Sequence, residues 1–238
     1  MIKNHSWNLT PSEAIALQKK LREEVDISPL KKSIKTIAGA DVSLNRFGKI
    51  AYACVVVLSY PELKVLEIGN AQMEVALPYI PGLLSFREIP VLLKAYESLK
   101  IKPDLVVVDG QGIAHPRRLG IAAHFGMVTG IPTIGCAKSI LYGVPRATLA
   151  EEKGSIEFLY DKQNKEEKIG ALVRSKNKTK PLVVSPGYKV SIQQAIDITL
   201  VCIKLHRLPE PTRFAHMYGN EYRVESREQI QKLFTKPN

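Results

Sequence analysis

The most constraining feature of this sequence is the change of pattern at Asp104. The apolar run Leu105-Val106-Val107-Val108 stops at Asp109-Gly110 and reads as a buried strand. A glycine-containing loop, a helix over about Arg117–Thr129 and a second apolar run, Pro132–Cys136, follow it. Strand, helix, strand is a parallel crossover, which needs helices on the sheet faces. Upstream, three Val- and Ile-rich segments (Ile34–Leu44, Ile50–Ser59 and Lys64–Leu77) are separated by turn signals at Asn45–Gly48 and Tyr60–Pro61. Connections that short make an antiparallel meander. Meander plus crossover predicts a mixed β-sheet flanked by helices, α/β or α+β in class.

The other segments fit around that sheet. Thr10 and Glu13 form a T-x-x-E capping box with Pro11 at the first helical position, and Ala14, Leu17, Leu21 and Val25 repeat on one face. This predicts a helix over Thr10–Val25. Further helices are expected over Phe86–Leu99, over Ser191–His206 behind a second capping box, and from Pro211 onward. Ser155–Tyr160 and Lys168–Arg174 read as a hairpin, and Leu182–Ser185 as a strand. No repeat or linker divides the 238 residues, so one domain over 1–238 is expected.

Composition narrows the class. With 45% hydrophobic and 24% charged residues the chain is of globular type. Cys54, Cys136 and Cys202 form no CxxC pair, which argues against a disulfide scaffold or zinc site and for a reducing compartment, the cytoplasm. No apolar stretch approaches the roughly 18 residues of a membrane span, and the start lacks a signal-peptide core, so no membrane partner is expected. The 34 Lys and Arg against 23 Asp and Glu give a net charge of +11, which favours polyanionic partners, although basic charge also serves solubility alone. A monomer is expected.

Several residues could carry chemistry. Alternation along Ile37–Leu44 puts Ile37, Gly39, Asp41 and Ser43 on one strand face. A mid-strand carboxylate is disfavoured, and by itself Asp41 reads as an exposed or salt-bridged residue. Asp109 ends a parallel-type strand, where α/β sheets place ligands. If the two strands are neighbours their carboxylates converge, and with no Arg in either motif they suit Mg²⁺ or Mn²⁺. Glu88 is either a third ligand or the far half of a Ser85–Glu88 capping box. His216 is a lone histidine on the helix expected from Pro211 onward, structural by default. Pro78-Tyr79-Ile80-Pro81-Gly82 is either a wedge for a base stack or a rigid connecting loop. The Gly110–Arg118 stretch lacks the glycine spacing of a dinucleotide site, and no GxxxxGK loop occurs.

Taken together, these motifs resemble the endonuclease V family, deoxyinosine-directed nucleases with a ribonuclease H-like fold. The resemblance rests on Ala38-Gly-Ala-Asp41-Val-Ser43, Pro78–Gly82, Leu84-Ser-Phe-Arg87-Glu88, Asp109-Gly110-Gln-Gly112, His115-Pro, Gly135-Cys136-Ala-Lys138-Ser139 and Arg213-Phe-Ala-His216, in family order over roughly residues 10–220. It implies that Asp41, Glu88 and Asp109 bind a divalent metal, Mg²⁺ with Mn²⁺ as substitute, with His216 near the site and Lys138 close to the phosphate. It implies a wedge of Pro78, Tyr79, Ile80 and Pro81, and a pocket for extruded hypoxanthine around Gly82, Leu84, Gly110, Gly120 and His115. The implied activity is DNA repair cleavage at the second phosphodiester 3′ to deoxyinosine, leaving 3′-hydroxyl and 5′-phosphate ends, with inosine-containing RNA as a further candidate substrate. A structure-selective nuclease of the same fold and a noncatalytic nucleic-acid binder are the competing readings. The wedge motif weighs against the first and the three carboxylates against the second.

Overall fold

The computed structural model describes residues 5–44, 49–75, 77–78 and 80–234, with side chains to Ser226. The Asn45–Gly48 turn signal and Tyr79 lie outside the described residues. The described chain runs α1 (Pro11–Leu21), β1 (Thr36–Leu44), β2 (Ile50–Ser59), β3 (Val65–Glu74), α2 (Leu84–Glu97), β4 (Leu105–Val108), α3 (Ile121–Thr129), β5 (Thr133–Ala137), β6 (Val144–Pro145), β7 (Ile156–Tyr160), β8 (Lys168–Val173), β9 (Leu182–Tyr188), α4 (Ile192–Cys202) and α5 (Glu210–Phe234). The strands form one nine-stranded mixed sheet in the order β3-β2-β1-β4-β5-β9-β8-β7-β6.

The sequence patterns explain the arrangement. β1, β2 and β3 form the antiparallel meander, and β4, α3 and β5 the parallel crossover. β4 inserts beside β1 and runs parallel to it, with Ala40 opposite Val108. Alternation then sorts side chains to two cores. Ile37, Leu105, Val107, Ile134 and Cys136 pack under α4 and α5. Ala38, Ala40, Val106 and Val108 pack under α2 and α3. Each fully buried Ile or Leu contributes about 1.5–3 kcal/mol relative to an exposed one.

Local signals set the starts of two helices. The Thr10–Glu13 and Ser191–Gln194 capping boxes both form, and Pro11 opens α1. α3 is shorter than its expected Arg117 start, because Arg118 has φ +57° and Gly120 is the N-cap. α4 ends at Cys202 rather than His206, where Ile203 turns to extended backbone. The two-residue β6 was not anticipated, being too short to carry a periodicity.

One glycine positions α5. A β carbon at Gly39 would lie 1.8 Å from the Pro211 carbonyl oxygen, so only glycine lets the start of α5 rest on β1. From that contact α5 runs along the strand. Five helical residues rise about 7.5 Å and two strand residues about 6.6 Å, which carries position 216 to position 41. Among the described residues no helix is long and apolar enough to cross a membrane.

Candidate active site

Two strands end beside the middle of a third. Continuing the alternation of Ile37, of Leu105 and Val107, and of Ile134 and Cys136 puts Asp41, Asp109 and Lys138 on the α5 side, Asp41 within β1 and the other two just past the carboxyl ends of β4 and β5. The Asp109 N–H donates to the Ala40 carbonyl at 2.9 Å, extending the ladder to the two carboxylates.

His216 closes the group from α5. Its Nδ1 lies 2.8 Å from Asp41 Oδ2, while Asp41 Oδ1 accepts from the Val42 N–H at 2.9 Å. Lys138 Nζ donates to Asp109 Oδ2 at 2.5 Å. One ligand atom each from Asp41, Asp109 and His216 lie within 4.8 Å of one another, so the three could hold a metal ion. Burial and the Asp41 charge raise the Asp109 pKa despite Lys138. The hydrogen bond to Asp41 raises that of His216. For Lys138, burial opposes the charge, but the hydrogen bond and charge of Asp109, with Asp41, outweigh it and raise the pKa. Oxygen donors crowded until their own charges are disfavoured fit a hard divalent cation.

Glu88 approaches from the other side of the sheet, in the first turns of α2. The Ser85–Glu88 capping box does not form. α2 begins at Leu84 with Leu83 as N-cap and no side-chain cap, and the Ser85 hydroxyl is bonded to His124 instead. Glu88 is only 8% exposed. Burial and the Asp41 charge, only partly offset by Arg87 and reinforced by Asp109, push its pKa up to about 8. Its carboxylate therefore lies within electrostatic reach of both aspartates, outside the three-group cluster.

Immediately beside these residues is a cavity of about 210 Å³. Ile80, Pro81, Gly82, Leu84, Gly110, His115 and Gly120 line it, and so do Ser85, Gln111 and Ser139–Leu141. It is smaller than the roughly 300–1,000 Å³ of drug-sized pockets, a size suited to a single base. It lies where α2 and α3 both begin, so the positive ends of two helix dipoles meet there. Pro78 is exposed outside the cavity.

The loop before α2 is held rigidly. Gly82 has φ +80°, and its carbonyl accepts from Gln18 Nε2 at 2.9 Å, Arg117 Nη2 at 2.8 Å and His115 Nε2 at 3.2 Å. His115 Nδ1 accepts from the Arg117 N–H at 3.1 Å, which leaves the ring proton on Nε2. Burial, with the nearby Arg117 charge, pushes the His115 pKa down to about 4, so the ring is neutral.

Sequence reasoning missed four supports. Gln18, fully buried in α1, also bonds Arg117 Nε at 2.5 Å and the Leu119 carbonyl at 3.3 Å. A polar residue inside the apolar stripe of α1 was its available signal. Gln111 donates to the Ser139 carbonyl at 2.9 Å, while its buried Oε1 has no partner among the described residues. Arg207 holds the Lys138, Lys180 and Pro181 carbonyls at 3.0, 2.8 and 3.0 Å. The fourth, His124, had no spacing signal.

Comparison with known proteins places this site in context. The profile of the family described as Endonuclease V matches residues 19–217. The endonuclease V of Gloeobacter violaceus is 49% identical over 218 residues, covering 91% of this chain and 87% of that protein. A crystal structure of endonuclease V from Streptomyces avermitilis is similar with a TM-score of 0.86 and 35% identity, covering 93% of this chain and 96% of that one. The endonuclease V of Ciona intestinalis, solved with a 24mer DNA containing an inosine followed by a ribo-adenosine, superposes with a TM-score of 0.77 at 28% identity, covering 93% and 98%.

Proposed function

Because this chain belongs to the endonuclease V family, and is a nuclease that hydrolyses phosphodiester bonds, we propose that it recognises deoxyinosine in DNA and cuts the second phosphodiester bond on its 3′ side in a metal-dependent reaction. The products carry 3′-hydroxyl and 5′-phosphate ends. The observation that carries this reading is the gathering of Asp41, Asp109 and His216 beside a cavity the size of one base. The DNA bound in the Ciona structure supports the substrate class.

Asp41, Asp109 and Glu88, with His216, would hold Mg²⁺, for which Mn²⁺ can substitute. When bound, the ion supplies Lewis-acid stabilisation of the phosphate and of the water that attacks it. Lys138 keeps a fixed positive charge where negative charge builds on the phosphate oxygens. His216 holds Asp41 in place through their 2.8 Å contact.

Recognition requires the base to leave the stack, which costs a few kcal/mol and least for a weakly paired base. The cavity takes that base, with the N-termini of α2 and α3 facing its acceptor edge. The Pro78–Pro81 segment, Tyr79 included, acts as the wedge that fills the gap. Ile80 packs on the Ala14, Leu83 and Phe86 cluster, which gives the wedge a stiff base. The surplus of positive charge, +11, holds the DNA backbone.

The test is cleavage of labelled inosine-containing and control duplexes, with inosine-containing RNA in parallel, in Mg²⁺ or EDTA. Metal-dependent cutting offset to the 3′ side of inosine is expected. Binding without cutting, or cutting governed by junction shape alone, would displace the reading.

A further inference from the structure

The wall of the base cavity carries a hydroxyl whose proton is already committed. Ser85, 2% exposed, lines the cavity from the second position of α2. Its Oγ is 3.1 Å from His124 Nδ1, and His124 Nε2 is 2.7 Å from His5 Nε2. His5 Nδ1 lies 2.9 Å from the Ser6 carbonyl oxygen, which can only accept, so that nitrogen carries the proton. The other ring nitrogen, Nε2, accepts the hydrogen bond from His124 Nε2–H across that 2.7 Å contact. His124 is fully buried, and burial chiefly pushes its pKa down to about 3. Its ring is therefore neutral, its Nδ1 is unprotonated, and the Ser85 O–H must donate to it.

The chain of protons runs one way, leaving Ser85 Oγ with lone pairs only. Its surroundings keep it so. Trp7 lies 4.2 Å from the His5 ring and 5.3 Å from the His124 ring, and Phe86 lies 5.0 Å from His124. Independently, Gln111 Oε1, in a residue only 8% exposed, is an acceptor in the same wall without a partner among the described residues. A buried acceptor left unpaired is costly, and a ligand donor removes that cost.

We propose that the His5–His124–Ser85 relay fixes the Ser85 hydroxyl as an acceptor in the cavity, so that the site selects a purine presenting a ring N–H. Hypoxanthine carries a proton on N1, where adenine has a lone pair that would face another lone pair. Ser85 is thus a specificity-determining residue and His5 and His124 are positioning residues, an assignment that rests on the base-cavity reading above.

The experiment compares single-turnover cleavage of duplexes carrying deoxyinosine or deoxynebularine, the same purine without the 6-oxygen and the N1 proton. It is joined to nitrogen-resolved NMR of the histidine rings in the full chain. The expected result is a proton on His124 Nε2 and none on Nδ1, with the inosine-over-nebularine preference falling about tenfold in Ser85→Ala and falling in the same direction in His5→Phe. A proton on His124 Nδ1, or equal losses on both substrates, would overturn the relay. Leu84→Trp, which fills the cavity, separates the two claims. If Leu84→Trp loses the preference and Ser85→Ala keeps it, the relay falls and the cavity reading stands. If Leu84→Trp keeps it, the cavity reading falls with the relay.

Discussion

Gly39 and Pro211 touch backbone to backbone, so closely that a β carbon at residue 39 would sit 1.8 Å from the Pro211 carbonyl oxygen. The contact sets α5 on β1 and so sets His216 over Asp41. Gly39→Ala must push the helix away. It is expected to cost about 1–3 kcal/mol of stability, as overpacking does, and to lower cleavage well beyond that of Gly130→Ala, which is strained by its φ of +75° but whose β carbon would meet nothing within 4 Å. Denaturant titration and cleavage rates on the two variants check this; equal rates would deny α5 its positioning role.

Metal binding should release protons. With its pKa pushed to about 8, Glu88 is mostly protonated at pH 7 in the metal-free protein, and a cation reverses the repulsion from Asp41 and Asp109. Calorimetric Mg²⁺ titration in buffers of different ionisation enthalpy is expected to show release approaching about one proton per site. Glu88→Gln should remove most of it. Asp41→Ala is expected to abolish cleavage and to leave DNA binding largely intact.

The fold should weaken on mild acidification. His115 and His124 have folded pKa values of about 4 and about 3, below the ordinary 6.5, chiefly because burial disfavours their charged forms. The unfolded chain therefore binds more protons below pH 6.5, so this stability is complete above 6.5 and is lost as pH falls toward 4 and 3. Each group adds a slope approaching about 1.4 kcal/mol per pH unit. Urea titrations between pH 7.5 and 5 should show the fall, and His124→Leu should flatten it.

Arg207 is expected to act through Lys138. It holds the Lys138 carbonyl and the two carbonyls of Lys180 and Pro181, joining β5 to the start of β9. Arg207→Met should lower the single-turnover rate about 10- to 100-fold through misplacement of Lys138, with inosine binding little changed. Parallel loss of binding and rate would assign Arg207 to DNA contact instead.

The sheet could be read from the sequence because its signals were local. The Val-rich strands, their turn residues and two capping boxes each state their own structure, and the period of two places Asp41 and Asp109 on one face once β1 and β4 are neighbours. Glu88 was ambiguous because Ser85-x-x-Glu88 has the spacing of a cap. Only the actual helix start, one residue before Ser85, decides against it. The supports were not legible, because Gln18, His124 and Arg207 act through partners 26 to 119 residues away. Their roles exist only in three dimensions.

The course of α5 along β1 ties two properties together. The same helix seals the core beneath Ala215 and delivers the imidazole to Asp41. Heat or denaturant that lifts it uncovers apolar interior and dismantles the cutting centre in one event. Enzyme inactivation in this protein should therefore track unfolding, with no window in which an intact fold has lost only its chemistry.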